Sequence, residues 1–241
     1  PDLVPVFLSE GPASLIRLGA DFVVESDRLA VGGHVIDVRT PKGLHEHLVV
    51  PLHGAHQMAN AAVALAATEA FFDRALPADL VAEAFAELVL PGRFEVVGHH
   101  PLVVLDGAHN PDALEQLANT VELEFQPLGS RVVVIGQLAG RDPDAALAAI
   151  SRLRPDLVLC CSLEGDRGVP ASLLAAACGR AGLSHEVVVD PQAAVTRALA
   201  GAGGRDHAPH RPDQPPAGRL GKPALARHGT VDATERDRAP H

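Results

Sequence analysis

The chain has 241 residues, 47% apolar and 21% charged, a composition that supports a buried core in one large or two modest domains. A formal net charge of −10, no Trp, no Tyr and only seven Phe exclude a nucleic-acid binder, because such a surface repels phosphate and offers little to stack on bases. No apolar run approaches the ~18 residues that span a bilayer and no signal peptide is visible, so no membrane partner is expected.

In chain order, residues 22–26 (FVVES), 28–33 (RLAVGG), 34–40 (HVIDVRT) and 45–52 (HEHLVVPL) read as short β segments. Gly-Gly and Thr-Pro-Lys-Gly turn chemistry separates them and predicts an antiparallel meander. The Ala-rich stretch LHGAHQMANAAVALAATEAFF, starting at Leu52, has its apolar residues at helical spacing. A second helix is predicted over 78–89, stopped by Pro91–Gly92.

From residue 93 strands and helices alternate. The predicted strands are 94–98, 102–106, 131–136, 156–161 and 185–189; the predicted helices are 111–124, 143–153, 170–181 and 191–200. Near-continuous Val, Leu and Ile in several strands point to a mostly parallel sheet covered on both faces, an open, doubly wound α/β arrangement. The change of rhythm at 91–93 marks a domain boundary. From residue 201 the chain is rich in Pro, Arg, Gly and His, cannot bury enough apolar surface to offset its ordering entropy, and is expected to be disordered over 201–241. Cys160 and Cys161 are adjacent, so on a strand they face opposite ways and make a poor disulfide. With Cys178 the count is odd and no C-x-x-C occurs, which reads as reduced thiols in a cytoplasmic protein. The first residue is Pro rather than Met, and the sequence is expected to be a piece of a longer protein.

Three clusters carry candidate chemistry. In LVVLDGAHNPDALEQL, residues 102–117, an apolar strand ends in Asp106–Gly107–Ala108–His109–Asn110 and a helix follows. Ligands of open α/β sheets sit beyond the carboxyl ends of the strands, and Asp106 stands at such an end. Gly107 allows a ligand to approach the backbone. Asn110 and Pro111 have the chemistry of an N-cap and a first helical residue, which turns free N–H groups and a positive dipole end toward an anion, with His109 over the same space. A phosphate or carboxylate fits these parts. The alternative is that Asp106 caps a turn and His109 is a solvated loop residue.

The second cluster, HGAHQMANAAVALA over 53–66, gathers His56, Gln57 and Asn60 on the first turns of an otherwise apolar helix, with His56 and Asn60 on one face. An amide there can read an adenine edge; alternatively the polar residues satisfy the N–H groups of the helix start. Third, Arg93 in PGRFE at the inferred hinge can reach a phosphate or ribose across a cleft, or form an interdomain salt bridge. His53/His56 and His99/His100 have no carboxylate or Cys partner at ligand spacing, so no metal site is expected. Neither G-x-x-x-x-G-K-[ST] nor G-x-S-x-G occurs.

HGAHQMANAAVALAATEAF, LPGRFEVVG and LVVLDGAHNPDAL, in this order and at this spacing, resemble the folylpolyglutamate synthases and bifunctional dihydrofolate synthases of the Mur ligase superfamily. The likeness runs over about residues 10–165 and weakens over 166–200. Cell-wall Mur ligases keep a related His-Asn helix start and a different loop after the strand, so the forms found here favour the folate branch. The resemblance implies that 1–92 is the end of a central ATPase domain and 93–200 a Rossmann-like C-terminal domain. It implies an ATP-dependent carboxylate–amine ligase: ATP phosphorylates a carboxylate of folate or dihydropteroate, and the amine of L-glutamate attacks the acyl phosphate. By motif position Asn60 would contact adenine, and Arg93 and Asp106 would reach ATP from the hinge and the second domain. His109 would lie near the γ-phosphate and the incoming glutamate, which makes Asp106 and His109 the catalytic candidates, while His56 and Gln57 would be neighbours of the nucleotide. Two domains make sense because closure keeps water from a hydrolysable acyl phosphate.

The family's P-loop, Mg2+ ligands and pterin pocket are expected upstream of residue 1, so the 241 residues alone are expected to be inactive. The family's closing strand, with a Gly-Ser-Leu-Tyr-like turn, is not found after about residue 200. A frame change or a misjoined end would explain the tail. The resemblance implies a monomer. The alternatives are a cell-wall Mur ligase acting on a UDP-linked sugar peptide and a non-catalytic remnant.

Overall fold

The meander expected of residues 22–52 is a three-stranded antiparallel sheet in the computed structural model, which describes residues 4–11, 15–127, 129–165 and 167–202. A short helix not foreseen from the sequence, α1 (Val4–Ser9), comes before it. The strands β1 (Val23–Ala30), β2 (Gly33–Thr40) and β3 (Gly43–Val50) pair in sequential order. The segments predicted separately as 22–26 and 28–33 are one strand. Its pairing with β2 slips between Val24 and Ser26, a bulge that reads as a break because the polar run Glu25–Ser26–Asp27 falls there.

Alternate residues Ile36 and Val38 of β2 and Leu48 and Val50 of β3 leave the sheet on one buried face. They pack against Met58, Ala61, Ala62, Leu65 and Ala66 of α2 (Ala55–Phe72) and Val81 of α3 (Ala78–Ala86). Beside this apolar layer the carboxylate of Glu69 is buried on α2, where it accepts from the Thr40 hydroxyl, from His45 Nε2 at 3.0 Å and from the Leu76 N–H at 3.2 Å.

The alternation predicted from residue 93 begins with an antiparallel hairpin, β4 (Glu95–His99) and β5 (Leu102–Leu105). Only His100 and Pro101 join these strands, far too few for the crossover that a parallel pair needs. The parallel sheet follows as β6 (Val132–Ile135), β7 (Leu157–Cys160) and β8 (His185–Val187), in that order. Between and after the strands run α4 (Pro111–Thr120), α5 (Pro143–Ser151), α6 (Ala171–Arg180) and α7 (Pro191–Ala202). Val158 and Cys160 pack with Leu147, Ile150, Leu174 and Cys178 of α5 and α6, while Leu159 and the following Cys161 pack with Ala194 of α7. Both faces of β7 are thus covered, which is why its sequence is apolar without alternation.

The helix predicted over 111–124 is α-helical only to Thr120 and goes on as a wider π turn, Val121–Phe125. The fold is α/β: an antiparallel meander with helices, then a Rossmann-like layer built on a parallel sheet. The described residues belong to one compact unit. The tail predicted from 201 meets the end of α7 at Ala202; the remainder lies outside the described residues. Among the described residues no helix is long and apolar enough to cross a membrane.

Candidate functional site

Asp106 follows the last residue of β5, as its sequence position implied. Its Oδ2 accepts from the Phe94 N–H at 2.7 Å and its Oδ1 from the Ala108 N–H at 2.6 Å. The Gly107 N–H donates to the Gly92 carbonyl at 2.8 Å, so the turn 92–94 and the loop 106–108 are stitched side by side. Both carboxylate oxygens therefore shape the loop, as the turn-capping alternative required. Asp106 is nonetheless exposed, and a carboxylate has about four acceptor sites, so each oxygen keeps room for a ligand's donor. A Cβ at Gly107 would lie 3.0 Å from Arg93 Nη1; the guanidinium rests against the loop because residue 107 carries no side chain. Among the described residues no ion pair ties Arg93 down, so the interdomain salt bridge is not seen.

His109 is exposed on the same loop, with Nδ1 2.8 Å from the Gly107 carbonyl oxygen. A carbonyl only accepts, so Nδ1 carries the hydrogen and Nε2 is left facing outward. Asn110 is the predicted cap: its Oδ1 accepts from the Ala113 N–H at 2.8 Å, and Pro111 takes the first turn of α4.

Across from this loop, α2 starts after Gly54. His56 is half-buried, and its Nδ1 is enclosed without a hydrogen-bond partner. Burial lowers its pKa below the ordinary imidazole value, while the charges of Asp106 and Glu124 pull it back up. His56 therefore stands within the field of Asp106. Gln57 instead points inside, where its Oε1 accepts from Asn60 Nδ2 at 3.2 Å and orients the exposed Asn60 amide one turn beyond His56. Gln57 can act on a ligand only through Asn60. Among the described residues there is no group of three or more His, Cys, Asp or Glu side chains able to hold a metal.

The sequence reading passed over Glu124. This carboxylate, in the π turn, has a side chain only 8% exposed. Its Oε1 accepts from the Gly54 N–H at 2.7 Å and lies 3.1 Å from His34 Nε2, and its Oε2 lies 2.9 Å from His53 Nδ1. His53, weighed earlier as a metal ligand, is a partner of this acid instead. The Phe94 and Phe125 rings stack beside it at 5.0 Å.

The α/β architecture and the loop at the end of β5 define the class of protein: a Mur-ligase-type fold, whose glutamate ligase domain model matches residues 92–208. The dihydrofolate synthase/folylpolyglutamate synthase of Mycobacterium tuberculosis is 37% identical over 166 residues, 66% of this chain and 34% of that protein. The solved structure of Mycobacterium tuberculosis folylpolyglutamate synthase complexed with ADP and AMPPCP has a TM-score of 0.79 at 31% identity, covering 85% of this chain and 47% of its own. Escherichia coli FolC in complex with DHPP and ADP has a TM-score of 0.67 at 29% identity, covering 82% and 44%. Residues 92–208 match the Mur ligase glutamate ligase domain, and the chain is similar to the folylpolyglutamate synthase/dihydrofolate synthase branch of that superfamily. It spans less than half the length of these relatives.

Proposed function

We propose that the chain supplies the glutamate-adding part of an ATP-dependent ligase that joins L-glutamate to folate, with dihydropteroate as a second acceptor. Residues 1–92 close the ATPase domain and 93–200 form the C-terminal domain of a cytoplasmic monomer. The observation that carries the reading is the stitched loop: Asp106 and Gly107 bound to the 92–94 turn, the Arg93 guanidinium alongside, and His56 in the same field. ADP in the related solved structures, DHPP in one of them, and the glutamate ligase domain match support the choice of substrates.

In the reaction the γ-phosphoryl group passes to a carboxylate oxygen, giving an acyl phosphate and ADP. The glutamate nitrogen then bonds to the acyl carbon, the carbon–oxygen bond to phosphate breaks, and the amine loses a proton. On this reading Nε2 of His109 takes that proton, a role supported by the Gly107 carbonyl that engages Nδ1. Arg93 donates to the nucleotide's anionic oxygens, Asn60 offers its amide to the base, and the outward lone pairs of Asp106 accept from the ribose or the amine. The described residues do not fit a Mg2+ site, and the 241 residues hold no P-loop, so on this reading both lie elsewhere in the full protein.

The test is ADP release by this chain joined behind the part of the Mycobacterium tuberculosis relative that it does not span. Release that requires both a folate and L-glutamate is expected, with Asp106→Ala or His109→Ala slowing it by about 10²-fold or more. Because the upstream part supplies the acceptor pocket, the amino acid is what this chain decides: release that requires 2,6-diaminopimelate in place of L-glutamate would favour the cell-wall reading. Full turnover in both variants would remove these residues from the mechanism.

A further inference from the structure

One buried acid joins the elements that carry the two candidate clusters. Glu124 holds His34 of β2 and the α2 leader, His53 and Gly54, through three contacts between 2.7 and 3.1 Å. The other nitrogen of His34 lies 2.5 Å from Asp27 Oδ1, so the chain of polar contacts runs Asp27–His34–Glu124–His53. Both ring nitrogens of His34 face carboxylate oxygens. Apolar contacts reinforce the grip: the His53 ring stands 5.5 Å from Phe94 and 4.8 Å from Phe125. Gly54 has φ 96, and a Cβ there would come within 2.7 Å of Thr120 Oγ1, so only glycine lets the end of α4 approach this closely.

The placement is what gives the contact meaning. Gly54 is two residues before His56 and begins the helix that presents Asn60. Glu124 lies in the last turn of a helical run that starts after Asn110, the cap beside His109. Holding Glu124 to Gly54 fixes the far end of α4 against the near end of α2, and with it the separation between the two clusters. Structural ion pairs elsewhere lack this property: Arg180–Asp144 and Arg197–Glu186 are exposed and join neighbouring elements of the parallel layer.

We propose that Glu124 is a positioning residue: its carboxylate clamps the α2 leader to the α4 π turn and sets where His56 and Asn60 stand relative to Asp106 and His109. It touches no ligand, and its effect on ligands rests on the reading of those clusters given above. The test places spin labels at Ala64→Cys on α2 and Gln116→Cys on α4, both exposed, while the three native thiols are buried. Pulsed dipolar distances and ADP affinity are then compared with and without Glu124→Gln, which keeps the size and removes the charge. The expected result is a broader distance distribution in a chain that still unfolds cooperatively, with ADP binding weakened about tenfold or more. Glu124→Asp, which keeps the charge, should restore part of both. Should Glu124→Gln fail to fold, His53→Phe preserves the ring stack, removes one donor, and should broaden the distribution by itself. An unchanged distribution in a folded Glu124→Gln or His53→Phe chain overturns the proposal. ADP affinity is read in the joined protein described above, where the upstream part supplies the P-loop; a joined parent that binds no ADP counts against the nucleotide reading alone, because the distances still decide the clamp.

Discussion

His56 feels both ends of the site at once. Burial depresses its pKa and leaves it neutral at pH 7, and the negative charges of Asp106 and Glu124 oppose that depression. Replacing Asp106 with Asn removes one opposing charge, so the His56 midpoint must move to lower pH. Following its ring protons by NMR through a titration checks this; an unmoved midpoint would separate the two clusters. At this scale the sequence was most legible where the chemistry is local. Asn110 reads as a cap because its partner, the Ala113 N–H, is three residues away. The outward Nε2 of His109 follows from a contact two residues back, which spacing alone does not reveal. Glu124 was illegible because its partners stand 70, 71 and 90 residues away and nothing around it in the chain sets it apart.

Among the elements, β7 shows how burial silences chemistry. Burial pushes the Cys160 thiol up to about 12, with Cys178 adding to the shift, and raises Cys161 and Cys178 as well. The sulfurs of Cys160 and Cys178 lie 3.6 Å apart as free thiols. Since the thiolate is the reactive form, an aromatic disulfide reagent at pH 8 should leave all three untouched until denaturant opens the sheet. A thiol that reacts rapidly in the folded chain would show that β7 is not the closed core strand seen here. The parallel strands themselves were readable from their unbroken apolar runs. Two elements were misread for physical reasons: the bulge in β1 hides a continuous strand behind a polar run, and a π turn spoils the helical period only after Thr120. The hairpin β4–β5 was signalled by its two-residue connection, which the apolar strand pattern overshadowed.

For the molecule as a whole, the pH range of stability turns on buried acids such as Glu69. Burial raises its pKa, but donation from the Thr40 hydroxyl, the Leu76 N–H and His45 outweighs this and leaves the carboxyl below its ordinary value of 4.5. A group depressed in the folded state adds stability above its unfolded pKa and loses it as the pH falls through the lower folded value. Denaturant unfolding of the wild type should therefore weaken as the pH drops below about 4.5. Glu69→Gln should cost roughly 1–3 kcal/mol at pH 7, because it removes the charge that strengthens these hydrogen bonds and turns an amide N–H2 toward one of the donors, and should show a shallower acid decline. Parallel curves for the two proteins would exclude the linkage. The class of fold and the family were within reach of the sequence because motifs and apolar periodicity are short-range signals. How β1–β3 with α2 are fastened to α4 was not, since that depends on side chains meeting across the fold.

The run from Asn110 to Phe125 also limits how the gene can vary. Each residue of an α-helix turns the chain by about 100° and advances it about 1.5 Å. One codon inserted or deleted between Pro111 and Val121 would swing the Glu124 carboxylate away from Gly54 while leaving every individual amino acid intact. Length, more than composition, is what this stretch has to preserve, and natural variants should place their gaps in other connections.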